Sequence, residues 1–424
     1  MKDEAMNSPD VIVIGGGPSG STVATLLAQK GYNVELFERD HFPRFHIGES
    51  LIPHTHGILE RLNMLDKMKS SHFIKKHSVQ FVSQHGQLSE PFYFGDHDAH
   101  ERSQTWQVRR SEFDNMLLTN AREHGVTVHE GARVLEVQFE GSRAVGIRVK
   151  PEGEEERQVR AKVVIDASGQ SSMIIDKFGL REWDPLLRKS AIWTYWKGAY
   201  RDTGKDEGAT IVLQLKDKKG WFWYIPLHDD LISVGVVAGN DYLFQERETK
   251  DLQKIYFEEV ERCPGLAPRL ANATRCEGFR AQKEYSYRSK QVGGDGWALV
   301  GDALGFLDPL YSSGVLLALT SGSMAADAIG DALATGDTSE VQMRTWEVEY
   351  FKAMERMRKL VCAFYDGLNF GKLVRRNPDK KGLITDVLIG NLFYDGVDQL
   401  WPLIEELKAD EAKEKMEAAM TAVV

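Results

Sequence analysis

The period of the apolar positions changes several times along this chain, and the changes mark its elements. Val11 to Ile14 is a continuous apolar run, which reads as a strand buried on both faces. Helical spacing follows from Ser19 to about Lys30, and Val34 to Phe37 is a second short run, closed by Glu38. A polar loop from Arg39 to Pro53 carries Arg44, His46 and Gly48-Glu49-Ser50. Helical periodicity then resumes from His54 to about Lys69. Val79 to Val82 and Pro91 to Phe94 read as strands about a turn at His85-Gly86, and Val108 to Asp114 opens a helix reaching about Glu123. Val126 to Val128, Ala132 to Phe139, Ala144 to Lys150 and Val159 to Val164 read as strands. Val163 to Gly169 reads as a buried strand ending in small residues.

From about Arg181 to Tyr285 aromatic residues alternate with polar ones, as in Ile192-Trp193-Thr194-Tyr195-Trp196, which predicts an antiparallel sheet half exposed on one face. Asp251 to Glu261 predicts a helix. The first texture returns at Trp297 to Asp302, and a helical region runs from about Val315 onward with a break at Asn377-Pro378. This order fits a nucleotide domain assembled from residues 9–72, 105–182 and 286–340, with a substrate sheet domain from 73–104 and 183–285. A helical C-terminal region, 341–424, closes the chain.

Length and composition narrow the class. At 424 residues there is room for two domains, and 42% hydrophobic with 27% charged residues is the composition of a globular protein. A net charge of -10 argues against a general nucleic-acid binder, which needs a basic face. Cys263, Cys276 and Cys362 have no metal-ligand spacing and suggest no disulfide framework. Residues 1–9 lack the apolar core of a signal peptide, and no run approaches 18 apolar residues, so a cytoplasmic protein without a membrane span is expected. Lys408 to Glu417 reads as a solvated helix end.

The first candidate chemistry is Gly15-x-Gly17-x-x-Gly20 between a strand and a helix. Gly15 permits the tight turn, Gly17 lets amides approach a pyrophosphate, and Gly20 lets helix pack on strand. The anion would sit at the helix N-terminus beside Ser19, and Glu38, about twenty residues on, can accept hydrogen bonds from an adenosine ribose. Asp302, after Gly301 at the end of a later buried strand, can accept from polyol hydroxyls. Arg110 is a further cofactor contact, with Arg109 the rival position.

Together these segments resemble the FAD-binding fold of the p-hydroxybenzoate hydroxylase type over roughly residues 9–50, 105–182 and 290–335. The resemblance implies an α/β fold: a Rossmann-like FAD domain, an inserted antiparallel substrate sheet and a helical C-terminal region. It also implies FAD contacts at Gly15, Gly17, Ser19, Gly20, Glu38, Arg39, Gly48, Arg110, Gly301, Asp302, Pro309 and Gly314. A nicotinamide as sole cofactor explains neither the late Gly-Asp pair nor the inserted sheet. Two stretches narrow the family. Trp221-Phe222-Trp223-Tyr224-Ile225-Pro226 matches Trp-x-Trp-x-Ile-Pro, and Phe306 to Gly314 matches Phe-x-x-Pro-x-x-Ser-x-Gly, both signatures of flavin-dependent halogenases. In a strand Trp221, Trp223 and Ile225 share one face.

Resemblance to that family implies halide held by the amides of Ser313 and Gly314, and a pocket walled by Trp221, Trp223, Phe306 and Tyr311. It also implies a lysine between flavin and substrate, and counting back five residues from Phe81 selects Lys76 over Lys75. In such enzymes reduced FAD and O2 convert chloride or bromide to hypohalous acid, which the lysine directs to an electron-rich aromatic ring. A lysine desolvated among aromatic rings has a lowered pKa. Tyr311 stands where tryptophan-specific members carry Glu, so the resemblance is nearer to members acting on phenols or carrier-bound pyrroles. Phe364-Tyr365-Asp366 resembles the helices covering the pocket there. The family implies a separate flavin reductase and a small aromatic substrate, free or tethered to a carrier protein. The rivals are a flavoprotein of the geranylgeranyl reductase type, an aromatic hydroxylase, and a non-catalytic flavin-binding or carrier-docking protein. His46, His54 and His56 lack the spacing of a metal site, so no metal is expected, and Glu49 is read as orienting its loop or capping a helix at Ser50.

Overall fold

The computed structural model describes residues 8–368 and 370–421, so the polar start of the chain before residue 8 lies outside the described residues. The apolar runs at Val11–Ile14, Val34–Phe37 and Val163–Asp166 do pair as the core of one sheet. In order across it stand Gly293–Gly294, Trp297–Leu299, Val163–Asp166, Val11–Ile14, Val34–Phe37 and Thr127–His129. All pairs are parallel except the first. Such strands are covered on both faces, and Val11, Ile12, Val13, Val164 and Ile165 have no exposed surface. The helix Pro18–Gln29 packs on one face beside the long helix Gly314–Thr335. Three strands end together: the glycine turn follows Val11–Ile14, Ala167-Ser168 follows Val163–Asp166, and Gly301-Asp302 follows Trp297–Leu299. A ligand of an open α/β sheet binds at such carboxyl ends.

A second, nine-stranded sheet carries the aromatic region. Its order is Gly305–Phe306, Arg280–Ser289, Arg181–Lys197, Leu231–Gly239, Gly220–Pro226, Thr210–Gln214, Ser78–Val82 and Phe92–Tyr93, with Thr274–Arg275 beside Arg181–Lys197. Thr210–Gln214 and Ser78–Val82 run parallel, so this sheet is antiparallel with one parallel pair. The strand Gly220–Pro226 is buried on both faces. Trp221, Trp223 and Ile225 join the core shared with the parallel sheet, whereas Phe222 and Tyr224 join a separate core with Val234, Val236, Ile255 and Tyr256. The expected half-exposed face is therefore covered, because the helix Leu252–Glu261 lays Ile255, Tyr256 and Val260 across it.

Other expectations shift locally. The helix expected from His54 to Lys69 is two, Thr55–Arg61 and Leu65–Ser70, broken where Asn63 takes φ 57°. The strand expected from Val159 to Val164 divides: Arg157–Arg160 edges a three-stranded antiparallel sheet, and Val163–Asp166 enters the parallel one. Only Phe92–Tyr93 of the Pro91–Phe94 run is strand. The C-terminal region holds the helices Glu347–Tyr365, Phe370–Arg376, Lys381–Ile389 and Leu400–Thr421, with the break at Asn377-Pro378. Among the described residues no helix is long and apolar enough to cross a membrane.

Candidate active site

The ends of the parallel strands and the inner face of the second sheet enclose one cavity of about 580 Å³. At one end the backbone builds it. Gly15 has φ 103°, and a Cβ there would stand 2.4 Å from the Ala167 carbonyl oxygen. Gly20 does not line the cavity; a Cβ on it would meet the Gly15 carbonyl oxygen at 1.9 Å, so helix and turn touch backbone to backbone. No side chain caps the helix Pro18–Gln29, and Gly17, Pro18 and Ser19 at its start face the cavity. The Glu38 carboxylate accepts Gly16 N–H at 2.7 Å and Asp40 N–H at 2.9 Å, which fixes the turn and leaves lone pairs for a further donor.

Arg110, not Arg109, lines the cavity. Its guanidinium holds Asp114 at 2.7 and 3.0 Å and donates to the Ile47 carbonyl at 2.6 Å, and Arg44 reaches Asp114 at 2.9 Å. Asp302 also faces the cavity, and burial pushes its carboxyl up to about 6, against the pull of Arg110. Arg39 and Gly48 line the cavity as well, as do Pro309 and Gly314. Gly301 lies behind it at φ 61°, where a Cβ would strike Ser19 Oγ at 2.4 Å. A long cradle of close backbone, a bare helix start and a buried carboxyl suits a dinucleotide with a polyol chain, as FAD has.

The other end is built from side chains. Trp221, Trp223, Ile225, Val212 and Thr210 line it from the second sheet, with Phe306 from that sheet's edge strand. The Trp221 indole donates to Tyr365 Oη at 2.8 Å, and Tyr365 donates to Asp308 Oδ2 at 2.9 Å, tying the tryptophan strand and a C-terminal helix to the segment before Gly314. Asp308 Oδ1 accepts Leu310 N–H at 3.1 Å, and burial raises this carboxyl to about 6. The segment turns through Ser312 at φ 58° into the helix Gly314–Thr335, which no side chain caps. Ser312, Gly314 and Val315 line the cavity. Ser313 and Tyr311 do not: the Ser313 Oγ and Tyr311 Oη atoms are buried without partners among the described residues, and the Tyr311 ring meets Phe370 edge-on at 6.3 Å. Tyr311 is therefore set back from the pocket wall expected of it.

Lys75 is exposed and Lys76 buried, at 2%. Lys76 lies just behind the wall, in the short strand Ile74–Lys76, which pairs with Thr105–Gln107. Its Nζ donates to Ser50 Oγ at 2.9 Å and to the Leu51 carbonyl at 3.0 Å, and lies 5.6 Å from the Phe94 ring centre. Burial lowers its ammonium to about 7. Ser50 Oγ stands 2.8 Å from Thr210 Oγ1, which also accepts from Gln107 Nε2 at 2.8 Å. Glu49, beside Ser50, is raised to about 7 by burial and accepts from Tyr195 Oη at 2.7 Å, so it anchors its loop to the second sheet.

Thr210, Gln107 and Tyr195 carry no motif, whereas Tyr365 lies in the Phe364-Tyr365-Asp366 stretch expected to cover the pocket. His46 lines the cavity as an exposed side chain, its ring bonded to the Ile47 carbonyl at 2.7 Å. Away from it, Glu112 bridges His72 and His228 at 2.8 and 3.1 Å, a hydrogen-bonded cluster of metal-ligand types that also faces Arg109 at 3.7 Å.

Comparison with known proteins agrees with this geometry. A family profile described as FAD dependent oxidoreductase matches residues 10–175, and one described as Tryptophan halogenase matches residues 95–369. A 1H-pyrrole-2-carbonyl-[peptidyl-carrier protein] brominase of Pseudoalteromonas luteoviolacea is 37% identical over 332 residues, 78% of this chain and 79% of the relative. A tryptophan 2-halogenase of Chondromyces crocatus is 34% identical over 367 residues, 85% and 68% of the two chains. The structure of the flavin-dependent brominase Bmp2 superposes with a TM-score of 0.84 at 29% identity, over 96% of this chain and 100% of the other. The Tryptophan halogenase match alone spans more than half the chain, which therefore belongs to the flavin-dependent halogenases, oxidoreductases that use FAD and a halide.

Proposed function

We propose that this halogenase acts on an electron-rich aromatic ring of the phenol or pyrrole type, free or tethered to a carrier protein, with Lys76 directing hypohalous acid. The observation that carries the reading is the buried Lys76, set behind Ser50 and Thr210 on the wall that also holds Trp221 and Trp223. The relative that acts on pyrrole-2-carbonyl carrier protein supports the tethered form of the substrate. When bound, reduced FAD with O2 supplies the oxidising equivalents that turn halide into hypohalous acid. Gly15, Gly17, Ser19, Glu38 and Arg110 hold the dinucleotide, and Asp302 takes its ribityl hydroxyls. The amides at Ser313 and Gly314 hold the halide at the start of the Gly314–Thr335 helix, where free N–H groups favour an anion.

Lys76 then directs the oxidant from behind Ser50 and Thr210, which line the cavity in front of it. Its ammonium, near balance with the amine at neutral pH, can release or regain a proton as the ring reacts. The tryptophan wall excludes water and stacks an aromatic ring. A flavin reductase supplies reduced FAD, and the protein works in the cytoplasm. Residues 73–104 and 183–285 form the substrate side of the molecule, residues 9–72, 105–182 and 286–340 the cofactor side, and 341–424 the cover.

The test supplies FAD, a flavin reductase, NADH, air and bromide, with catalase to remove free peroxide. The panel is phenols, indoles, pyrroles and pyrrole-2-carbonyl carrier protein, read by mass spectrometry. Brominated phenol or pyrrole is expected from the wild type, and none from Lys76→Ala. Hydroxylated product, or bromination undiminished in Lys76→Ala, overturns the reading.

A further inference from the structure

Lys76 does not touch the cavity, yet two hydroxyls that do touch it stand between them. Thr210 Oγ1 accepts one hydrogen from Gln107 Nε2, and Ser50 Oγ accepts one from Lys76 Nζ. The 2.8 Å contact between the two hydroxyls takes one of their two hydrogens. The other has no acceptor among the described residues, and both side chains line the cavity. Whichever way the pair is turned, one hydroxyl hydrogen is left for whatever occupies the cavity. Should Lys76 lose its proton, the pair can turn the opposite way: Ser50 donates to the amine, Thr210 donates to Ser50, and Thr210 can accept from the cavity.

The pair is held for this. Gln107 Nε2 also donates to the Gly208 carbonyl at 2.8 Å, and Ser50 and Gln107 form a β-bridge. A Cβ on Gly208 would stand 2.0 Å from the Lys75 carbonyl oxygen, so the chain entering Thr210 is pressed directly against the lysine strand. Ser50 and Thr210 are each about 4% exposed, in a site where hydrogen bonds are not diluted by water.

We propose that Ser50 and Thr210 form a hydroxyl relay carrying protons between the cavity and Lys76, with Thr210 a positioning residue for halogenation. The relay rests on the assignment of the oxidant to Lys76. As the halogen–oxygen bond of hypohalous acid breaks and the carbon–halogen bond forms, the Lys76 ammonium passes a proton through Ser50 and Thr210 to the departing oxygen, which leaves as water. The ring then loses its C–H proton, which returns along the same path and restores the ammonium. The net exchange is hypohalous acid and arene to haloarene and water.

The experiment has two arms. In protein without FAD, the side-chain carbon next to the Lys76 amine is followed by NMR against pH, its signal assigned by its loss in Lys76→Ala. Thr210→Val is isosteric and keeps a strand-forming side chain, and it is expected to lower the Lys76 proton affinity at least about threefold by removing a polar neighbour. Thr210→Ser is expected to titrate with the wild type. In the bromination assay Thr210→Val is expected to bind FAD and oxidise NADH within about twofold of wild type while brominated product per NADH falls about tenfold. Thr210→Ser restores the yield. The wild-type yield falls as pH rises past about 7, where Lys76 loses its proton, and Thr210→Val flattens that fall. Unchanged titration and unchanged yield in Thr210→Val overturn the relay. An inactive Lys76→Ala beside a fully active Thr210→Val sinks the relay alone, whereas a fully active Lys76→Ala sinks the assignment of Lys76 on which it rests.

Discussion

The two ends of the cavity are made of different material. At the glycine turn the contacts are backbone on backbone, and the side chains are chiefly ones that are missing: Gly15 and Gly20 leave room that no other residue leaves. At Lys76 the backbone is ordinary, and the work falls to side chains drawn from separate segments: Ser50, Lys76, Gln107 and Thr210, with Trp221, Asp308 and Tyr365 nearby. A backbone site tolerates no added atom. A side-chain site tolerates atoms but depends on charge and on complete hydrogen bonding, so the two ends should fail in different ways.

The largest effect is expected where charge is buried. Lys76 ordinarily holds its proton to 10.5 but only to about 7 in the fold, so the unfolded chain binds the extra proton between these values. Native stability therefore rises with pH from about 7 toward 10.5, and below 7 the penalty is present in full. Lys76→Met is expected to be more stable than the wild type at pH 6, by on the order of a few kcal/mol. That advantage should vanish near pH 10, as urea denaturation across pH will show. At the glycine end, Gly20→Val forces carbon into the Gly15 carbonyl. We expect a cost of ~3 kcal/mol, roughly a hundredfold in FAD affinity if it falls on binding, measured by flavin fluorescence titration.

Arg110→Met breaks a buried pair, leaving Asp114 to Arg44, and should cost ~3 kcal/mol of unfolding free energy. Arg109→Met, at the exposed neighbour, should cost less than about 1 kcal/mol. Tyr365→Phe strips a partner from both Trp221 and Asp308, an expected loss of ~1–2 kcal/mol. It should appear as roughly tenfold slower product formation with FAD affinity unchanged. Equal damage to FAD affinity would erase the distinction between the two ends.

The same distinction explains what the sequence disclosed. A turn that only glycine can make announces itself, as does a tryptophan pair spaced by two in a strand. Thr210, Gln107 and Tyr195 are common residues whose meaning comes from register: Gln107 bridges Ser50, and Thr210 lies opposite Val79 in the parallel pair. No local pattern encodes such pairing. The half-exposed sheet failed for a more avoidable reason. Phe222, Tyr224, Val234 and Val236 make its second face as apolar as its first, which calls for a cover, and Leu252–Glu261 with its apolar stripe was the element to supply it.

The bond from Trp221 to Tyr365 also constrains anyone who would reshape this pocket. Trimming Trp221 to admit a bulkier ring removes the donor that Tyr365 accepts, and Tyr365 is what braces Asp308 ahead of the turn at Ser312. The tryptophan strand, the C-terminal helix and the segment before Gly314 are thus geared together in one hydrogen-bonded chain. A library that varies position 221 without also varying 365 and 308 will select against its own enlarged members.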